Sequence, residues 1–269
     1  MLEFIQFLDG RMTKPVAYTS FETSWFHWLS LIILIATTVF LIKYFKKGTE
    51  KQIKKVILIS GIIMVIFEIY KQIIFNYDGT GYEWYAFPFQ FCSTPMYLYL
   101  VLGLSKNKKL DEYLIAYLAT YATFAGFAVM IYPSSVFVDV IGINIQTMVH
   151  HGLIAAIGIS LLVRYKLDYK AFFKGMTVFV ILSGIAYAMN TVWNIIEPDI
   201  VFNMFFINPK YGTEIPVLSM IEPVVPHIVF LFVYVFGFTF VASLVFFGAK
   251  LSRMVKYKTS TKPQLAYQN

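Results

Sequence analysis

Cys92 is the only cysteine in the chain, and it stands in Phe87-Pro88-Phe89-Gln90-Phe91-Cys92-Ser93-Thr94-Pro95-Met96, at the head of an apolar segment. A thiol next to an imidazole is the minimum for nucleophilic acyl chemistry. The ring takes the thiol proton, the thiolate attacks a carbonyl, and the resulting thioester passes its acyl group to water or another acceptor. A free thiol has a pKa of about 8.5, and apolar burial raises it, so such chemistry needs a base. Two histidines, His150 and His151, stand side by side in another apolar segment. Neighbours on a helix point about 100° apart, so at most one of them can be central to a site. Gln90, Asn190 and Asn194 are candidate oxyanion donors. The costly polar residues that remain are Glu68 with Lys71 one turn on, Thr94 beside the cysteine, Tyr187 and His227.

Each of these residues also has a structural reading. A lone cysteine in an apolar segment packs like a small hydrophobe. Glu68 and Lys71 are at ion-pair spacing, and Asn190 and Asn194 are the kind of side chain that hydrogen-bonds between membrane helices. His227 opens an apolar stretch, where water can solvate it.

The elements that must position these residues are membrane helices. The chain is 58% hydrophobic, 19% aromatic and 14% charged, with a mean hydropathy of +0.67. A soluble domain of 269 residues has no means of hiding that much apolar surface. One cysteine excludes an internal disulfide. The net charge of +7 does not indicate nucleic acid, because the cations lie in short loops between apolar spans.

The hydropathy pattern predicts an all-α bundle of seven spans: Trp25–Ile42, Val56–Phe75, Pro88–Leu104, Tyr113–Tyr132, Ile145–Val163, Phe172–Trp193 and His227–Phe247. Residues 1–22, with Leu2, Phe4, Ile5, Phe7 and Leu8, read as an interfacial segment and not a cleaved leader. The seven spans form a transmembrane domain over 23–250, and 251–269 reads as a basic cytoplasmic tail held to anionic lipid. Proline at 88 marks the third span as a helix beginning there, with Pro95 kinking it or freeing a carbonyl. Eighteen lysines and arginines fall on one side of this arrangement and four on the other. The positive-inside rule then places the N-terminus outside and the C-terminus inside.

That orientation brings Cys92, Gln90, Thr94, His150, His151, Glu68, Tyr187, Asn190, Asn194 and His227 to one depth in the outer half of the bundle. Ionisable groups in a bilayer usually face the bundle interior or a water-filled cavity, so one outward-facing polar pocket is the expectation. The connection 194–226 carries five prolines and reads as an ordered cap or re-entrant loop. No HxxxH or HExxH spacing supports a metal, and neither metal nor cofactor is expected. A small-molecule transporter or a ligand sensor without catalysis is the rival reading. A transporter needs a path through the inner half and broken helices in paired repeats, and neither is evident.

Three stretches carry a resemblance. Phe87-Pro88-Phe89-Gln90-Phe91-Cys92-Ser93, Asn144-Ile145-Gln146-Thr147-Met148-Val149-His150-His151-Gly152 and Asn203-Met204-Phe205-Phe206-Ile207 resemble the YwaF-like integral membrane proteins. These bacterial proteins look related to a eukaryotic transmembrane acyltransferase that remodels ether phospholipids. The resemblance implies a multi-pass protein of the cell membrane with Cys92 as the acyl-carrying nucleophile, His150 as its base and Asn203 among the pocket residues. It also implies a membrane phospholipid or acyl-lipid as substrate. Where the family stretch often has a histidine two residues before the cysteine, this chain has Gln90.

Overall fold

The computed structural model describes residues 3, 6, 7, 9–77, 82 and 84–260. Its helices are α1 (Phe21–Lys47), α2 (Glu50–Tyr77), α3 (Thr94–Leu104), α4 (Lys108–Ile131), α5 (Ile141–Arg164), α6 (Tyr169–Ile196) and α7 (His227–Ser260). All but α3 are long and apolar enough to cross a membrane, and α3 is an apolar helix of 11 residues. Among the described residues there is no β-sheet, only an isolated bridge between Arg11 and Val140.

Short connections make successive helices antiparallel, and the polar contacts agree. At one end, Lys54 of α2 donates to Ser105 O at 2.9 Å and pairs with Asp111 at 2.5 Å. Arg164 reaches Glu50 at 3.4 Å, Lys174 pairs with Glu112, and Arg253 donates to Leu162 O. This end holds the lysine-rich connections. The opposite end is tied together by the stretch before α1 and by the connections 132–140 and 197–226.

The third span departs from expectation. Phe87–Ser93 is not helical, and the helix begins only at Thr94. A continuous helix from Pro88 would put Pro95 in its interior, where the missing N–H and the clash with the carbonyl of Phe91 cost about 3 kcal/mol. Starting at Thr94 puts Pro95 in the first turn, where its N–H is not needed.

Near the N-terminus residues 3, 6 and 7 are helical, and the helix does not continue through 11–20. Leu2, Phe4, Ile5 and Leu8 lie outside the described residues, and Phe7 is exposed. Residues 11–20 are a non-helical strap: Met12 N donates to Asp139 O at 2.8 Å, and Ile141 N donates to Gly10 O at 3.0 Å. Pro15, with a fixed φ and no N–H, suits this irregular course, and Ser20 accepts from Thr23 N to cap α1. At the other terminus α7 runs on to Ser260, well past Phe247, and 261–269 lies outside the described residues.

The core lies around α4 and α5, whose membrane-length windows are the most enclosed, at 72% buried each. Glycines let these two helices approach closely, as small residues do between membrane helices. A Cβ on Gly126 of α4 would come within 2.7 Å of Ala155 N and 2.8 Å of His151 O on α5. α4 contains one π-helical turn, Leu118–Ala122, all of it buried. α1 and α7 sit at the periphery, with Ile32, Ile35 and Phe40 of α1 and Phe232, Phe236 and Phe240 of α7 exposed.

Candidate functional site

A cavity of about 710 Å³ opens between α2, α5 and the segment leading into α3, at the end opposite the lysine-rich connections. Glu68, Gln90, Cys92, His150, His151 and Asn203 all line it, together with Lys71. Three short segments complete its walls: 85–93, Ser135–Val138 and 201–214.

The two histidines sit deeper than the spans suggested, because α5 begins at Ile141 and not Ile145. His150 therefore lies about 14 Å along the helix from its first residue. Both rings are buried. His150 Nε2 is 2.9 Å from the carbonyl oxygen of Cys92, and His151 Nδ1 is 2.8 Å from that of Thr147. A carbonyl only accepts, so each of these nitrogens carries its proton and donates. That leaves His150 Nδ1 and His151 Nε2 bare, and neither has a partner. Thus His150 meets Cys92 through the backbone. The start of α3 explains why this carbonyl is free: Met96 N bonds Ser93 O, one residue short of the regular α-helical partner. Cys92 itself is a half-buried free thiol one residue ahead of the α3 N-cap, Ser93.

Glu68 is held from its own helix. Its Oε1 accepts from Lys71 Nζ and Gln72 Nε2, both at 2.7 Å, while Oε2 is buried without a partner. Gln72 is fixed in turn by Ala86 O at 2.9 Å and by the Tyr82 hydroxyl at 2.5 Å. Burial first, then the charge of Glu68, pushes the Tyr82 pKa up to about 12, so at neutral pH it remains a donor.

The amides proposed as oxyanion donors are committed elsewhere. Gln90 donates to Asn203 O at 3.0 Å and accepts from Phe205 N at 2.9 Å, so it joins the cysteine segment to the connection above it. Asn190 does the same with Met204, accepting from its N–H at 2.8 Å and donating to its carbonyl at 2.9 Å. Asn194 pairs reciprocally with Asn208 at 2.9 and 3.0 Å. Between these clamps Phe205 and Phe206 take positive φ angles of 60° and 56°. That conformation costs on the order of 1–3 kcal/mol per residue and persists only where its surroundings impose it.

Asn190, Asn194, Thr94, Tyr187 and His227 thus do not line the cavity. Thr94 donates to Phe91 O at 3.1 Å and receives the Tyr117 hydroxyl at 3.2 Å inside the core. Tyr187 stacks on His227 with ring centroids 6.0 Å apart. The common depth read from the spans did not imply a common face. Sequence reasoning missed Gln146, Thr147 and Glu214, which do line the cavity. Gln146 and Thr147 lie within a turn of His150 on α5, and that spacing was the available signal. It also passed over His27, which is fully buried and donates to Met130 O at 2.9 Å, outside the cavity. Among the described residues no group of three or more His, Cys, Asp or Glu side chains is placed to hold a metal ion.

The Asn190 clamp has a testable consequence. Asn190→Leu removes both bonds to Met204 and leaves a buried N–H and C=O unpaired, at a cost of about 1–3 kcal/mol for each group. A clearly lowered Tm in detergent is expected, and an unchanged Tm means the connection is held by other contacts.

Compared with known proteins, residues 21–250 match the model of the TMEM164 family. No curated protein and no solved structure matches the chain.

Proposed function

The chain belongs to the TMEM164 family and is a multi-pass membrane protein, and from that premise we propose that it transfers or hydrolyses lipid acyl chains at the Cys92 thiol. The observation that carries this reading is the meeting, in one cavity, of the single cysteine with two buried histidines that each present a bare ring nitrogen. His150 is the base. Its Nε2 holds the Cys92 main chain, and Nδ1 receives the thiol proton. The thiolate forms beside the N-terminal end of α3, where the helix dipole favours negative charge. It attacks the ester carbonyl of a phospholipid, the C–O bond breaks, and the proton returns to the departing alkoxide. Attack by water or a second hydroxyl then breaks the C–S bond and restores the thiol.

The finer identity within this reading is a relative of the YwaF-like bacterial proteins, seated in the cell membrane. Its supports are the three motif stretches and a cysteine and histidine that line one cavity. Mass spectrometry of the purified protein tests the chemistry: an acyl adduct is expected on Cys92. Absence of any adduct after incubation with a wide range of phospholipids would overturn it.

The accompanying topology has seven crossings, the third made by 88–93 with α3, the N-terminus outside and the tail on anionic lipid inside. The charge asymmetry supports it. Asn107 and Ser135 are exposed at opposite ends of the bundle. Cysteines at these two positions in a Cys92→Ser background are expected to label from opposite sides, with Ser135 on the outer one. Labelling from one side contradicts the seven-crossing arrangement.

A further inference from the structure

Glu68 borders two spaces. Besides the polar cavity it lines a second one, of about 590 Å³, on the flank of the bundle between α2 and the start of α3. Val65, Ile69, Ile73, Pro88, Met96 and Tyr97 give this groove apolar walls. Ile69, Ile73 and Tyr97 are also exposed, on a flank where the neighbouring Ile62 and Ile66 are bare too. In a membrane that flank faces acyl chains, and the groove has the size of a small-molecule site. An alkyl chain moves from bilayer to groove between equally apolar surroundings, so packing alone decides its residence.

At the inner wall of the groove the chemistry changes. Glu68 is 4% exposed, and its Oε2 is buried with no donor. Lys71 and Gln72 occupy only Oε1. A buried carboxylate oxygen without a hydrogen bond is costly, so a donor belongs in the space beside it. The ammonium of Lys71 already balances the charge, which favours a neutral donor over a second cation.

We propose that the α2/α3 groove binds the alkyl chain of a hydroxyl-bearing membrane lipid, with Glu68 Oε2 accepting a hydrogen bond from that hydroxyl at the edge of the Cys92 cavity. The proposal rests on the acyl-transfer reading and supplies its acceptor. In the second half of that reaction the hydroxyl oxygen forms the new ester bond, the thioester C–S bond breaks, and the hydroxyl proton ends on the departing thiolate. Glu68 is then the residue that selects a lipid alcohol over an alkyl chain without a donor.

The test uses Cys92→Ala protein in lipid nanodiscs, where no turnover occurs, and a single-chain lipid carrying a free hydroxyl and a diazirine in its alkyl chain. Irradiation is expected to label peptides containing Ile69, Ile73 and Met96. Methylating the probe's hydroxyl is expected to weaken labelling about tenfold, the loss of one charge-assisted hydrogen bond. Glu68→Leu abolishes that difference. Ile73→Trp, a lipid-facing change that fills the groove, removes labelling of α3 while the protein still elutes as a folded species. Equal labelling by both probes, or labelling spread over α1 and α7 and insensitive to Ile73→Trp, means ordinary surrounding lipid and overturns the proposal. Failure is separable from that of the acyl-transfer reading, because labelling in Cys92→Ala needs no chemistry and adduct formation in the unaltered protein needs no probe.

Discussion

Acyl release from a labelled phospholipid is expected to stop in Cys92→Ala and to stop equally in His150→Ala, each by at least about a thousandfold. The double change should cost little more than either alone, because a nucleophile and its base act as a unit. Cys92→Ser is expected to be inactive as well, since the same ring has to deprotonate a much weaker acid. His150→Ala also removes the bond to the Cys92 carbonyl, so a purely positional role has to be separated from proton transfer. His150→Gln does this. Its amide can still donate to that carbonyl, but it has no basic nitrogen. Activity in His150→Gln would make His150 a positioning residue and move the base to His151, whose Nε2 is bare. Normal turnover by Cys92→Ala would end the covalent mechanism altogether.

The second large effect concerns packing. Gly126→Ala is expected to destabilise the bundle by about 1–3 kcal/mol, the usual cost of overfilling a well-packed interior. For a protein of this size that is roughly 2–4 °C in Tm for each kcal/mol lost. The new methyl meets main chain, Ala155 N and His151 O, and main chain can yield only by moving α5 against α4. Since α5 carries both histidines, activity should fall more than stability. Gly184→Ala on α6, where nothing lies within 4 Å, is the control and should leave both unchanged. Ala is the better helix former, so propensity alone would raise Tm, and equal loss of Tm in the two variants would show that the α4–α5 contact is not what is being measured.

Much of this arrangement follows from the chain alone. Runs such as Val56–Phe75 and Ile145–Val163 can satisfy their backbone in a bilayer only as helices, so hydropathy determines the elements. Ionisable and amide groups within those runs are costly, and this singled out Cys92, Glu68, His150 and His151 before any contact was known. All four line one cavity.

Rotation about the helix axes was left to tertiary structure, because residues of equal depth on different helices can face different neighbours. The spans put Asn190 and His227 at the depth of His150, yet Asn190 holds Met204 and His227 stacks on Tyr187. Proline misled for a related reason: Pro88 read locally as the helix start and Pro95 as a kink within that helix, whereas the helix starts beside Pro95. The choice of Pro95 came with the docking of Gln90 onto Asn203 and Phe205, more than a hundred residues away. That choice also left the Cys92 carbonyl free for His150, and so decided which nitrogen of that ring is open for chemistry. The groove beside Glu68 has the same origin. It exists only because α2 and the start of α3 pack against each other, a pairing of surfaces that no local pattern encodes.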